Sequence, residues 1–526
     1  MDSDDDIEYP LDASLQSDGA PRRPSFSLDN LPAEFVAFLT KNEIDPAIYT
    51  VTDLPRYVRF NPDPHHTITP EALEHELGTK VEPVPGLEAF CRLSGHVKLR
   101  NTQAYIDGRI FGMDLSSGIA VYALDVQPGD HVLDICCAPG AKLCMIAGLL
   151  TNSGHVRSDR NREGNQLRMD LTGTVTGVDI SVHRLSTCRS LLKRHRLQQY
   201  ARLFQADGTT FGVMRPSAID TIHARIMSGK ESRKQGRQSE RKRSLSEDGV
   251  VEQESDMRIE QEDASAHEAL NQFHKDYTKD GETSVKRQKA TLEALSAMSG
   301  QVQEESTTYN GADANSSSEK MVPFYAPKIL RNDPQLQGEG YKYDKVIVDA
   351  ECTHDGSIAH ILKYESWGWD SFHKNFMAQD RLDSLADLQR GLLLNGFRLT
   401  KSGGIVVYST CSLSRAQNED VVAWFLAKVR GRAVLEPLPK HALGIPTANC
   451  KRPCRSIVAN ALGLKSNGAS ASPGSEVPAL EEWHGSAEQE AEMKQLQDHV
   501  MNLCLRYDPI ASHTSGFFLA RIRKIA

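Results

Sequence analysis

Two cysteines stand where polar residues take over from an apolar run. One lies in VIVDAECTHDGS, as Asp349-x-x-Cys352, and the other in GIVVYSTCSLS, as Ser409-Thr410-Cys411-Ser412. A thiol in such a place packs, binds a metal or attacks an electrophile. A structural zinc site takes four ligands, and His354 supplies at most one beyond the two sulfurs, so no metal is expected. If the two runs are neighbouring strands, both thiols reach one rim on loops entering one pocket. The chemistry that uses a thiol beside a sulfonium methyl donor is methylation of an aromatic carbon. Carbon 5 of cytosine is barely nucleophilic until a thiolate adds at carbon 6. It can then take a methyl group, lose its proton and let the thioether leave. The attacking thiol needs a pKa below the ~8.5 of free cysteine. An acid must hold the ring's nitrogen edge, and Asp349 has the position for that. A second thiol could assist elimination.

The methyl donor needs its own site. The stretch DICCAPGAK (134–142) runs from an apolar strand through a Pro-Gly turn into a helix. Such a turn brings backbone N–H groups and a helix N-terminus toward a ligand, and Gly140 lets that backbone come close. It is neither GxGxxG nor a Walker loop, which disfavours a dinucleotide or a triphosphate. A smaller ligand with a carboxylate suits it, such as the methionine part of S-adenosylmethionine. Acids end the following strands: Asp179 in GVDI, Asp207 in FQAD and Asp349 in VIVDA. Any one of them alone reads as a helix N-cap. Together, at the carboxyl ends of strands facing one crevice, they favour a nucleoside-type cofactor.

These residues require a sheet to bring them together. Apolar runs at 131–136, 174–180, 201–207, 344–350, 404–409 and 517–524 alternate with helical periods. One such period, RLDSLADLQRGLLLNG, sets Leu382, Leu385, Leu388, Leu392 and Leu393 on one face. The pattern predicts an α/β fold with a doubly wound, mainly parallel sheet. Ser414 and Gln417 suggest a capping box ahead of NEDVVAWFLAKV. Before the sheet, residues 30–125 read as an α+β region with a helix at LPAEFVAFLTKN, a strand at YVRFNP and a helix at ITPEALEHELG, capped by Thr69 and Pro70. Residues 1–29 read as a disordered tail, and 126–526 as the sheet domain with insertions at about 152–170, 215–340 and 436–500.

The 526 residues carry 25% charged and 39% hydrophobic residues and a net charge of −9. They hold no run near the roughly 18 apolar residues of a membrane span. The acidic start MDSDDDIEYP argues against a secretory or transit peptide. Ten cysteines in a chain this long do not make a disulfide scaffold, and Cys450-x-x-x-Cys454 lacks a second zinc-type pair. The negative charge gives no global sign of nucleic-acid binding, though a local basic patch is enough. The basic blocks KESRKQGRQSERKRS (230–244) and VKRQK (285–289) suit a nuclear address, an RNA tether or a solvated charged loop.

In order along the chain, VLDICCAPGAK, GVDISVHR, QADGTTF, VIVDAECTHDGS, LADLQRGLLLNGFRLTKSGGIVVYSTCSLSRAQNED and HTSGFFLARIRK resemble successive motifs of the Sun (Fmu, Nop-type, RsmB-like) RNA cytosine-5 methyltransferases. The resemblance implies a Rossmann-like S-adenosylmethionine fold and RNA, of the ribosomal or transfer kind, as substrate. The basic blocks suggest residence in the nucleus or nucleolus, with the cytoplasm as the alternative. The resemblance makes Cys411 the nucleophile and Cys352 the thiol that assists product release. It puts cofactor contacts at Cys136, Cys137, Ala138, Pro139, Gly140, Ala141 and Lys142, and at Asp179, Arg184, Asp207 and Asp349. YVRFNP and the helix after it resemble the family's N-terminal RNA-binding extension. The chain departs from the pattern at Glu351, where proline is usual, at Leu143, where threonine is usual, and in MDLSS, which keeps only the Asp of a Gln-Asp pair. Glu351 would raise the Cys352 pKa by like-charge repulsion, which suits release better than attack. Two other readings fit the fold: a methyltransferase acting on protein or a small molecule, and a non-catalytic RNA-binding assembly factor. Both predict that Cys411 is dispensable.

Overall fold

A computed structural model describes residues 27–151, 173–217, 321–439 and 491–525, apart from 52–53, 64, 88, 332, 492–494 and 497–498. Both basic blocks, Cys450 and Cys454 lie outside the described residues. No helix among the described residues is long and apolar enough to cross a membrane.

The alternating runs become strands of one sheet. β1 (Arg56–Phe60), β2 (Glu82–Pro83), β3 (Phe90–Leu93) and β4 (Ile110–Gly112) form a small antiparallel sheet in the order β2-β3-β1-β4. The large sheet holds β5 (His131–Ile135), β6 (Thr174–Asp179), β7 (Ala201–Gln205), β8 (Tyr343–Asp349), β9 (Thr400–Thr410), β10 (Ala433–Leu435), β11 (Leu505–Tyr507) and β12 (Phe517–Lys524). Its order is β10-β12-β9-β8-β5-β6-β7, with β11 paired to β12. β5 through β9 run parallel, and β12 enters antiparallel beside β9. The order reverses between β5 and β8, and ligands bind in such a crevice at the strands' carboxyl ends. This is a Rossmann-like sheet. Val406 and Val407 belong to different apolar clusters, one on each face, which explains why the runs read as nearly continuous apolar text.

Four expectations change. Residues 30–125 do not form one unit. The helix Ala33–Lys41 and the turn Pro46–Thr50 pack instead on residues 358–377 and Leu413, and the helix Leu115–Ala123 joins the core of the large sheet. The insertion placed at 215–340 is narrower at both ends, because Tyr325 bridges Leu203 and Asp333 accepts hydrogen bonds from the Ser217 backbone N–H at 3.0 and 3.1 Å. The one placed at 436–500 also begins later, since Glu436 pairs with Arg521 and Arg523 and Leu438 is buried. Lastly, Ser414 and Gln417 form no capping box: Ser414 donates to Asn42 Oδ1 at 2.7 Å and Gln417 Oε1 accepts from Thr353 N–H at 3.1 Å. The Thr69 cap forms as expected, accepting from Ala72 N–H at 3.2 Å with Pro70 at the first helical position.

Candidate active site

β8 and β9 are neighbours in register, with Asp349 opposite Ser409. The turns that follow them therefore start level, and Cys352 Sγ lies 3.2 Å from Cys411 Sγ. Both are free thiols, Cys352 buried and Cys411 half-buried. The two loops are stitched together. Asp355 accepts from Ser412 Oγ at 2.6 Å and from Leu413 N–H at 2.7 Å, and also from the Thr353 hydroxyl. Gly356 N–H donates to Cys411 carbonyl at 3.0 Å. At the crest of this turn His354 takes φ +56°, a left-handed conformation rare for a residue with a Cβ, and its Nδ1 sits 2.9 Å from Cys411 Sγ.

The electrostatics separate the two thiols. Burial first, and then donation to Cys411, pushes the Cys352 thiol well above its ordinary value. The hydrogen bond from Cys352, followed by the charge and hydrogen bond of His354, holds Cys411 well below its ordinary value in spite of burial. For His354, burial favours the neutral ring, yet the sulfur of Cys411 outweighs it and raises the imidazole. Glu351 is not the cause at Cys352, contrary to the like-charge argument: its carboxylate turns away into an ion pair with Arg381. The two thiols are thus biased in opposite directions, Cys411 toward the thiolate and Cys352 toward the protonated thiol.

Asp349 accepts from Ser409 Oγ at 2.7 Å and from Lys142 Nζ at 2.8 Å. The bond from Lys142 to Asp349 ties the Pro-Gly turn to the thiol side of the crevice, and Lys142 also donates to Ser117 Oγ at 3.1 Å. In that turn Gly140 has φ +114°, and a Cβ there would meet Cys188 at 3.1 Å. Cys136 also takes a left-handed φ of +64°. The Cys137 side chain is buried. Asp179 Oδ2 accepts from Ala138 N–H at 3.3 Å, and Arg184 donates to Ala138 carbonyl at 2.5 Å while pairing with Asp179 at 3.4 Å. Asp179 and Arg184 therefore brace the turn. Asp207 is exposed and accepts from Thr209 N–H at 2.8 Å, the local cap that an isolated acid suggests. Pro139 and Ala141 complete the turn and open the helix Ala141–Thr151.

The crevice fits S-adenosylmethionine on three observations. Asp134, only 1% exposed, keeps both carboxylate oxygens buried without a hydrogen-bond partner in the described structure, a ready receptor for an ammonium group. Gly140 opens the backbone beside it. Ile180, the residue after Asp179, is 69% exposed and offers an apolar face to a purine. Sequence reasoning missed Asp134, which sits within a strand and looks like one more strand residue. It weighed His354 only as a metal ligand.

The chain is similar to one family model and to several known proteins. Residues 326–448, which hold both thiols, match the family model described as 16S rRNA methyltransferase RsmB/F. An rRNA (cytosine-C(5))-methyltransferase, NOP2C of Arabidopsis thaliana, is 23% identical over 65% of this chain and 46% of its own length. The mitochondrial tRNA (cytosine(34)-C(5))-methyltransferase of Danio rerio is 40% identical over 17% of this chain and 22% of its own. The solved structure of NSun6 from Pyrococcus horikoshii is 14% identical with a TM-score of 0.47, covering 95% of this chain and 100% of that one. The chain spans less than half the length of the curated relatives named here.

Proposed function

We propose that this chain, whose segment 326–448 belongs to the RsmB/F methyltransferase family, transfers a methyl group from S-adenosylmethionine to carbon 5 of cytosine in RNA. The observation that carries the reading is the pair of sulfurs 3.2 Å apart, one prepared as a thiolate and one kept as a thiol, beside a crevice suited to a sulfonium cofactor. Asp134, Asp179 and the turn 136–142 would hold that cofactor, with Asp207 at the rim. When bound, it supplies an electrophilic methyl group.

The chain's own residues do the rest. Cys411 Sγ adds to carbon 6 of a cytosine that is unpaired or flipped out of its stack. Asp349, fixed by Lys142 and Ser409, accepts hydrogen bonds from the ring's nitrogen edge and holds it as electrons move toward carbon 5. Once carbon 5 carries the methyl group, its proton passes to solvent water, that C–H electron pair re-forms the carbon 5–carbon 6 double bond, and the carbon–sulfur bond breaks with its electrons returning to Cys411 as the thiolate. Cys352, as the thiol, stands 3.2 Å from that sulfur and hydrogen-bonds to it as it departs. Ribosomal and transfer RNA are the substrate classes that the names of the relatives bring forward. RNA is also what a nuclear, nucleolar or cytoplasmic enzyme of this kind would meet.

The test joins three proteins and one readout each. Wild type should methylate RNA, and bisulfite sequencing should locate the modified cytosine. Cys411→Ala should lose at least ~1,000-fold in rate, the scale on which covalent assistance acts. Cys352→Ala should accumulate an RNA–protein adduct that survives denaturing electrophoresis. Methyl transfer by Cys411→Ala at the wild-type rate would overturn the reading in favour of another acceptor, and absence of adduct in Cys352→Ala would overturn the division between the thiols.

A further inference from the structure

We infer that His354 is the base that takes the Cys411 proton and keeps that sulfur as a thiolate, so that the nucleophile is a cysteine–histidine pair. The inference rests on the reading of Cys411 as nucleophile. It begins from geometry: among the described residues the side chains hydrogen-bonded to the sulfur are Cys352 at 3.2 Å and His354 Nδ1 at 2.9 Å. In the transfer the S–H bond breaks, an Nδ1–H bond forms, and the ring becomes an imidazolium beside the thiolate. A neighbouring base is a general way to activate a thiol.

Other groups facing the pair cannot take the proton. Cys352 is a buried thiol that donates to the same sulfur. Glu351 is spent on Arg381, and Asp355 accepts from Thr353, Ser412 and Leu413. Asp349 accepts from Ser409 and Lys142. His360 and Phe376 pack on the His354 ring at 5.2 and 5.6 Å, and the charge of Lys363 acts on His360. The acids Glu351 and Asp355 favour a charged His354 ring. The left-handed backbone at His354 costs free energy, and Asp355 and Gly356 hold it through their bonds to residues 411–413. Strain of this kind at a ring aimed at a reactive sulfur marks a placed residue.

The test needs neither RNA nor methyl donor. The full-length protein is alkylated with iodoacetamide between pH 5 and 9.5, and Cys411 modification is read by peptide mass spectrometry. Wild type should show an inflection below pH 7. His354→Gln should move the inflection toward the ~8.5 of a free thiol and slow alkylation at pH 7 by about 10-fold or more. An unchanged profile overturns the inference. If His354→Gln loses its folded circular dichroism, His354→Asn takes its place: an inflection moved toward the ~8.5 of a free thiol supports the pair, and the wild-type profile overturns it. A protein with the shifted profile but no methyl transfer would sink the proposed function and leave the pair standing. Methyl transfer without the shifted profile would do the reverse.

Discussion

Asp134 is where a single residue reports on the cofactor. Burial, then repulsion from Asp349 and Asp179, pushes its carboxyl well above the ordinary range, and Lys142 offsets only part of this. A carboxyl whose folded pKa is raised holds its proton more tightly in the folded state. Its cost to stability is therefore absent below the unfolded pKa of ~3.9 and grows as pH rises toward the raised value. Asp134→Asn removes that titration. It should stabilise the ligand-free protein at pH 8 by about 1–3 kcal/mol, with the gain vanishing near pH 3.5, and weaken S-adenosylmethionine binding by at least ~10-fold. Thermal unfolding at the two pH values and calorimetric titration measure both. A gain of equal size at both pH values, or unchanged affinity, would remove Asp134 from the site. The thiols and the strand-end acids were legible in the sequence because each stands at a change from apolar to polar text. Asp134 was not, since nothing in HVLDIC distinguishes a satisfied buried carboxylate from an orphaned one. His354 was not, because its role depends on a left-handed turn that only the paired loops impose.

At the scale of elements, the site exists because turns from three adjacent strands interlock. Gly356 N–H meets the Cys411 carbonyl at 3.0 Å, and Gly516 N–H, just before β12, meets the Gly356 carbonyl at 2.7 Å. A Cβ at position 356 would lie 2.6 Å from the Cys411 oxygen and 2.7 Å from the Gly516 oxygen, closer than carbon and oxygen can sit. Gly356→Ala must therefore push the Cys352 and Cys411 turns apart while leaving the turn 136–142 alone. Adduct formation in a Cys352→Ala background should fall at least ~100-fold, since displacements of about 1 Å cost that much. Cofactor affinity measured by calorimetry should stay within about twofold. Parallel loss of both would show that the change unfolds more than the thiol loops. The order of strands and helices was readable from the alternation of apolar runs with helical periods. The capping box at Ser414 and Gln417 was misread because the motif is local and the competition is not: Asn42 and Thr353, remote in sequence, claim those side chains.

Across the whole molecule, the two sides of the crevice are braced from opposite directions. The cofactor side leans on the core of the sheet. The thiol side leans on the N-terminal segment, whose Tyr49 hydroxyl donates to the Asp355 carbonyl at 2.7 Å and whose Asn42 accepts from Ser414 at 2.7 Å. Phe35 anchors that segment, fully buried with its ring 4.8 Å from that of Phe372 in an edge-on contact. The sequence predicted the helix holding Phe35 but placed it in one α+β region with YVRFNP and the helix after it, because its apolar face does not say which surface covers it. Truncating a buried phenylalanine costs about 3–5 kcal/mol. If that cost falls on docking of residues 28–50, Phe35→Ala should free the turns carrying Cys352 and Cys411 before the sheet melts. Hydrogen exchange should then rise at residues 353–356 and 412–414 while β5 and β6 keep their protection. Methyl transfer should drop with S-adenosylmethionine binding retained. Uniform loss of protection in sheet and turns would instead make the segment an ordinary part of one cooperative core, with no special hold on the thiols.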